Sequence, residues 1–309
     1  MKSIATIAAD LLALAEVPAG RLTIEGAEPV LPSSFRVDAA AGATIGAAGV
    51  AAAAIHAARG GGAQAVAVAL RHAAAEFRSE HHARDATVPP GEMWDPIAGL
   101  YPTGDGRHVR LHTNFAHHRD GILALLGCGN SREAVARALL DRQAEPFETA
   151  ATAHGMCVAA IRSFAQWDAH PHAAALPEVP LAISRIGPAP RRPLPPAAAR
   201  PLAGLRVLEL ARVIAGPVAG RTLAAHGAEV LHITGPGVPN LPRLITDTGR
   251  GKRAAEIDLN DAAGRARLRH LASGADVFLQ SYRTGALASR GFAPEDLAAQ
   301  TPGIVVATL

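Results

Sequence analysis

Cysteine is scarce in this chain: Cys128 and Cys157 are the only two in 309 residues. That excludes a disulfide scaffold and suits a reducing compartment, so a cytoplasmic home is expected. Lysine is equally rare, with Lys2 and Lys252 alone among 30 basic residues. The alanine- and arginine-rich remainder is the bias of a GC-rich genome. Aromatic residues make up 4% and charged residues 18%, against 49% hydrophobic, which excludes a disordered polyelectrolyte. No signal peptide is visible, because Asp10 and Glu16 interrupt the first apolar stretch. The longest apolar run, Ala39 to Ala58, is mostly alanine and glycine and contains His56. It reads as a closely packed helix rather than a membrane span, so no membrane is expected.

The charge that is present is uneven. Residues 200–309 hold 13 Lys and Arg against 9 Asp and Glu, a net of +4, and residues 1–199 hold 17 against 18, a net of −1; together they give +3. A mildly basic C-terminal part suits a small phosphate-bearing ligand and falls short of the basic stripe that nucleic acid requires.

Five prolines in the eleven residues Ile186 to Pro196 prevent helix and sheet pairing and mark a boundary. Val88-Pro89-Pro90-Gly91 is a second, shorter break. Before the boundary, helices are expected over 2–17 and 38–58, a strand at 64–70, and a hairpin at 100–111 turning on Gly104-Asp105-Gly106. Helices follow at 118–127, 131–141 and 145–155. After the boundary the rhythm is βα: strands at 205–210, 229–233, 253–259, 276–280 and 303–309, with helices at 218–226, 261–272 and 294–299. Strands alternating with helices of about ten residues imply an α/β fold with a doubly wound, parallel, Rossmann-like sheet, beside a smaller α+β domain.

In such sheets ligands sit beyond the carboxyl ends of the strands. Three segments lie there. Arg212 to Arg221 lacks both the G-x-G-x-x-G spacing and a G-K-[ST] ending, so it is either a phosphate-binding turn or a tight turn in which Gly216 and Pro217 start a helix. Thr248-Gly249-Arg250-Gly251-Lys252-Arg253 puts three cations on a glycine-flexible loop, either to neutralise phosphate or as a solvated surface. Gln280 to Leu287 offers Tyr282 and Arg283 either for an adenine ring or a phosphate or as ordinary surface residues.

Together these segments resemble the start of the class III coenzyme A transferases, the family of formyl-CoA transferase and carnitine CoA-transferase. The resemblance runs through Pro201 to Leu210, Val213 to Pro217, His226 to Val230, Gly251-Lys252-Arg253 with Ile257-Asp258-Leu259, and Tyr282 to Leu287 with Gly291-Phe292. It implies that Val213, Ile214, Ala215, Lys252, Arg253, Ser281 and Tyr282 line a coenzyme A site. Thr234 stands where the family usually has an acidic residue.

Earlier segments are similar to the family's later half. These are Val37 to Gly42 with its alanine-rich helix, Gly62 to Val68, the Tyr101-Pro102-Thr103-Gly104-Asp105-Gly106 hairpin, Gly155-Met156-Cys157 and Ala169-His170-Pro171. The implied organisation is a later-half region over 1–185, a Pro-rich linker over 186–199, and a CoA-binding first half over 200–309 that stops inside the sheet, as in a truncated tandem-like member. The resemblance also implies an interlocked homodimer and, as substrates rather than resident cofactors, acyl-CoA and a carboxylic acid acceptor. Asp38, at a helix N-terminus, is the implied nucleophile, though aspartate also suits that position as an ordinary cap.

Two alternatives stand beside CoA transfer: an acyl-CoA racemase of the same fold, and a catalytically inactive CoA-binding fragment or partner subunit. The racemase needs an acid/base pair that the sequence does not place. His81-His82, His117-His118 and His170-x-His172 lack carboxylates at helical spacing, so no metal is expected. Cys157 with His154 reads as a pair of helix neighbours rather than a nucleophile and its base.

Overall fold

A computed structural model describes residues 2–85, 87, 94–177, 181–190 and 192–309. The expected break at Val88-Pro89-Pro90-Gly91 lies outside the described residues. The chain forms two compact units, one made of Met1–Val88 with Leu181–Leu309 and the other of Pro89–Pro180.

The first unit begins with α1 (Ile4–Leu14), whose Ser3 cap accepts from the Thr6 amide at 3.1 Å. Strand β1 (Arg21–Glu25) leads to α2 (Val37–Ala58), and β2 (Ala65–Ala69) pairs in parallel with β1, Arg21 opposite Ala65. Helix α2 is long and apolar enough to cross a bilayer by length and composition. Here its small residues serve close packing. A Cβ on Gly46 would lie 2.9 Å from Leu22, and one on Gly49 2.9 Å from Val66. The alanine- and glycine-rich composition therefore lets α2 lie directly on the two strands. Short helices α3 (Leu70–Glu76) and α4 (Ser79–His82) follow.

The second unit holds the expected hairpin as β3 (Gly99–Pro102) and β4 (His108–Leu111), antiparallel with Tyr101 opposite Val109. Its turn closes as the Thr103 amide donates to the Arg107 carbonyl at 2.9 Å. Helices α5 (Ala116–Leu126), α6 (Arg132–Leu139) and α7 (Ala144–Ala153) come next. Strand β5 (Val158–Ala160) adds to β4, and α8 (Phe164–Asp168) and α9 (Pro171–Ala175) complete the unit. Ile97, Tyr101, Leu111, Ile122, Leu139 and Phe147 meet in its core.

The first unit resumes with β6 (Arg206–Leu210), α10 (Ala215–Ala225), β7 (Glu229–Thr234), α11 (Pro242–Thr248), β8 (Lys252–Glu256), α12 (Ala262–Ser273), β9 (Val277–Gln280), α13 (Pro294–Gln300) and β10 (Val305–Thr308). The five strands pair in parallel in the order β10-β9-β6-β7-β8, so the strand order reverses at β6. Period-two alternation sends Leu208, Ile233 and Phe278 into one layer with Leu268 of α12 and Leu297 of α13. Val207, Val230 and Leu279 go into another, with Ala224 of α10 and Ile55 of α2.

Several elements differ from expectation, among them β5, α8 and α9, which were not foreseen, and β8, which ends at Glu256 rather than 259. Helix α10 starts at Ala215 rather than 218, because proline in a first turn forfeits no helical hydrogen bond. Helix α11, opened by Pro242, and strand β1 were not foreseen. The Pro-rich 186–199 segment is fastened inside the first unit. Buried Arg59, just past α2, donates to the carbonyls of Pro195 (2.8 Å), Pro196 (2.7 Å), Pro201 (2.5 Å) and Ala203 (2.9 Å).

Candidate functional site

In parallel α/β sheets ligands sit in the crevice beyond the carboxyl ends of the strands where the order reverses, here β6 and β9. Five of the residues singled out from the sequence gather here. Val213, Ile214 and Ala215 form the turn from β6 into α10, and Ser281 and Tyr282 follow β9. The turn is bonded across the crevice: the Arg212 amide donates to Ser281 Oγ at 3.2 Å, and the Ser281 amide to the Leu210 carbonyl at 3.1 Å. Tyr282 is pinned as its amide donates to Gln280 Oε1 at 2.9 Å, and burial pushes its phenol above the usual tyrosine range.

Val213 sits at φ +68°, a left-handed conformation that a β-branched residue rarely adopts. Its side chain and that of Ile214 stay open, 43% and 45% exposed. Strain of this kind costs about 1–3 kcal/mol and gathers where a binding segment must hold one shape. In the first turn of α10 Pro217 has no N–H and the Val218 amide donates to the Ile214 carbonyl at 2.8 Å, which leaves the Ala215 and Gly216 amides as those that suit an anion.

The basic loop is divided by strand alternation. The Lys252 side chain turns under α10, only 3% exposed, where Nζ lies 2.7 Å from Glu209 Oε2 and donates to the Pro217 carbonyl at 2.7 Å. Burial pushes its pKa below the usual lysine range, against the pull of Glu209. Glu209 is fully buried, and its other oxygen lies 3.0 Å from His232 Nδ1. Arg253 takes the other face and lines a cleft of about 640 Å³ with Arg206, Glu229, Leu231, His270 and Leu271, at the amino ends of β6 to β8. The fold therefore brings neither Lys252 Nζ nor Arg253 into the crevice.

Sequence reasoning missed a second buried cluster. Arg221 pairs with Asp247 at 2.5 Å and with Glu76, while Ser79 Oγ donates to Asp247 Oδ2 at 2.7 Å. Arg250 adds a bond to Asp247 Oδ1 at 2.7 Å. The cluster joins α3 and α4 to α10 and α11, and its signal was an acid, Asp247, placed just ahead of the basic loop.

Asp38 lies in the first turn of α2 and is 5% exposed. Its Oδ2 accepts from the Val30 amide at 2.6 Å and the Leu31 amide at 3.2 Å. The expected carboxylate is at a helix N-terminus, but it is sealed by the preceding loop rather than open. In the second unit, Asp105 serves the hairpin by accepting from Thr103 Oγ1 at 2.6 Å, which holds its carboxyl below the usual range. Cys157 Sγ lies 3.8 Å from His118 Nε2, whereas His154 Nδ1 lies against the Ala150 carbonyl. No cluster able to hold a metal occurs among the described residues.

Comparison with known proteins bears on the sheet that forms the crevice. Residues 202–309 match CoA-transferase family III. The chain is 35% identical to the probable fatty acyl-CoA transferase Rv3272 of Mycobacterium tuberculosis over 124 residues, covering 36% of this chain and 32% of that protein. It is 44% identical to an acyl-CoA transferase of Gibberella moniliformis over 97 residues, 31% of this chain and 17% of that one. It is 36% identical to the alpha-methylacyl-CoA racemase of Mus musculus over 108 residues, 35% of this chain and 27% of that one. The chain thus spans a third or less of the length of these relatives, and the likeness lies in its C-terminal part, residues 202–309, which is similar to CoA-transferase family III.

Proposed function

We propose that the chain binds coenzyme A thioesters in the β6–β9 crevice and takes part in moving CoA between carboxylic acids. The observation that carries this reading is the strained, exposed turn at Val213, held at the reversal of a parallel sheet beside the free amides of α10. The packing of α10 on one face and of α12 and α13 on the other supports a doubly wound reading of the sheet, the form such ligands favour.

The proposed chemistry uses Asp38. Its carboxylate attacks the thioester carbonyl and expels CoA thiolate, leaving a mixed anhydride. The thiolate returns to the aspartyl carbonyl, forms an aspartyl-CoA thioester and releases the first acid. The acceptor acid then repeats the exchange. For this the loop carrying Val30 and Leu31 has to release at least one Asp38 oxygen. We further propose the 1–185, 186–199 and 200–309 organisation, a homodimer and a cytoplasmic setting, the last because both cysteines are free.

Two measurements test the reading. Calorimetric titration with CoA is expected to show binding that Ser281→Trp abolishes by filling the crevice. Hydroxylamine, added after incubation with an acyl-CoA, is expected to leave a hydroxamate on Asp38. CoA transfer with unmodified Asp38 would remove it as nucleophile, and exchange of an α-proton without transfer would favour the racemase reading that the mouse relative supports.

A further inference from the structure

The Val213 turn is bracketed by two residues that one lysine holds. Glu209 precedes the turn in β6, Pro217 follows it in α10, and Lys252 Nζ lies 2.7 Å from the carboxylate of the first and from the carbonyl of the second. The space for this bridge is kept by Gly220. A Cβ there would fall 1.7 Å from Glu209 Oε2 and 3.1 Å from Lys252 Nζ. His232 of β7, 3.0 Å from the other Glu209 oxygen, fixes the carboxylate from the opposite side. A strained backbone conformation persists only where its surroundings over-determine it.

We infer that Lys252 is a positioning residue for ligand binding at the crevice: by clamping Glu209 to Pro217 it holds Val213 in its left-handed conformation and aims the α10 amides. It does so without touching the ligand. This rests on the reading of the crevice as a CoA site. It differs from a phosphate-contact role because the ammonium is sealed beneath α10 with both its partners internal.

The test uses the full chain. Lys252→Met alone leaves Glu209 Oε2 buried without its cation, so the neutral pair Glu209→Gln with Lys252→Met is compared with wild type, each with and without Val213→Gly. Glycine adopts positive φ freely and so needs no clamp. The neutral pair is expected to lower CoA affinity about tenfold with Val213 present and no more than about threefold when Val213→Gly is added. Amide exchange over 213–218 in the ligand-free chain is expected to quicken in the neutral pair and to return towards wild type with the added glycine substitution.

An equal loss in both backgrounds, with a flatter dependence of affinity on salt, would mean that Lys252 contacts a CoA phosphate directly, and would overturn the inference. Wild-type chain that binds no CoA sinks the reading of the crevice. The exchange data then judge the clamp alone: faster exchange over 213–218 supports it, and unchanged exchange refutes it.

Discussion

The crevice and the surroundings of Asp38 handle their important groups in opposite ways. At the crevice, the charges are hidden and the backbone is presented: Lys252 and Glu209 lie beneath α10 while the strained Val213 turn faces solvent. Around Asp38 the charge itself is the buried object, and backbone amides close over it. On the proposed function, the difference teaches that one region meets its ligand as it stands, whereas the other has to open before its carboxylate can react.

The largest expected effect sharpens the first side of that contrast. Lys252→Met takes the cation from a fully buried carboxylate, leaving it only the His232 contact, and should lower unfolding free energy by about 3 kcal/mol, most of it recovered by adding Glu209→Gln. Urea denaturation checks both, and a loss under about 1 kcal/mol would mean that the pair is far wetter than its burial indicates.

Asp38→Ala removes the acceptor for the Val30 and Leu31 amides and should cost about 2–3 kcal/mol in the same assay. A neutral result would break the comparison, since Asp38 would then be free to act without disturbing its loop. Val213→Gly works in the reverse direction. Relief of the left-handed strain should raise stability by about 1 kcal/mol, read as a higher thermal midpoint.

The smallest effect belongs to the second unit, where the ion pairs described are more open than the sealed Lys252–Glu209 pair. There Arg162 donates to Glu148, and that hydrogen bond is the main cause holding the Glu148 carboxyl below its usual value of 4.5. With the folded pKa depressed, the native state binds fewer protons than the unfolded one. The contribution is therefore present above pH 4.5 and is lost as pH falls from there through the folded value. Glu148→Gln should flatten this acid dependence by less than about 1 kcal/mol, since the pair is partly solvated.

What was legible in the sequence was mostly what is local. Continuous apolar runs such as Val207 to Leu210 announced buried parallel strands, and Gly104-Asp105-Gly106 announced the hairpin turn. The turns that carry Val213 to Ala215 and Ser281-Tyr282 were legible as turns because each directly follows a strand, whereas the choice of those residues came from the family resemblance. Strand β1 was missed although Leu22 and Ile24 alternate with Arg21, Thr23 and Glu25, the pattern of a strand packed on one face only.

Lys252 and Arg253 were read as one basic patch because sequence adjacency hides what the pleat decides, namely that neighbours in a strand face opposite ways. The partners of Asp38 and Cys157 were illegible for a related reason. Val30 and His118 reach them through chain folding that no local spacing encodes.

Arg59 gives the topology a further meaning. The first unit leaves the chain at Val88 and resumes at Leu181, so the second is carried as an insertion within it. By gripping four carbonyls between Pro195 and Ala203, Arg59 ties the two segments of the first unit on either side of that insertion. A protease that nicks the chain inside the insertion would therefore yield two fragments that still migrate together under native conditions, held by Arg59 together with the Arg221–Asp247–Ser79 cluster and the packing of Ile55.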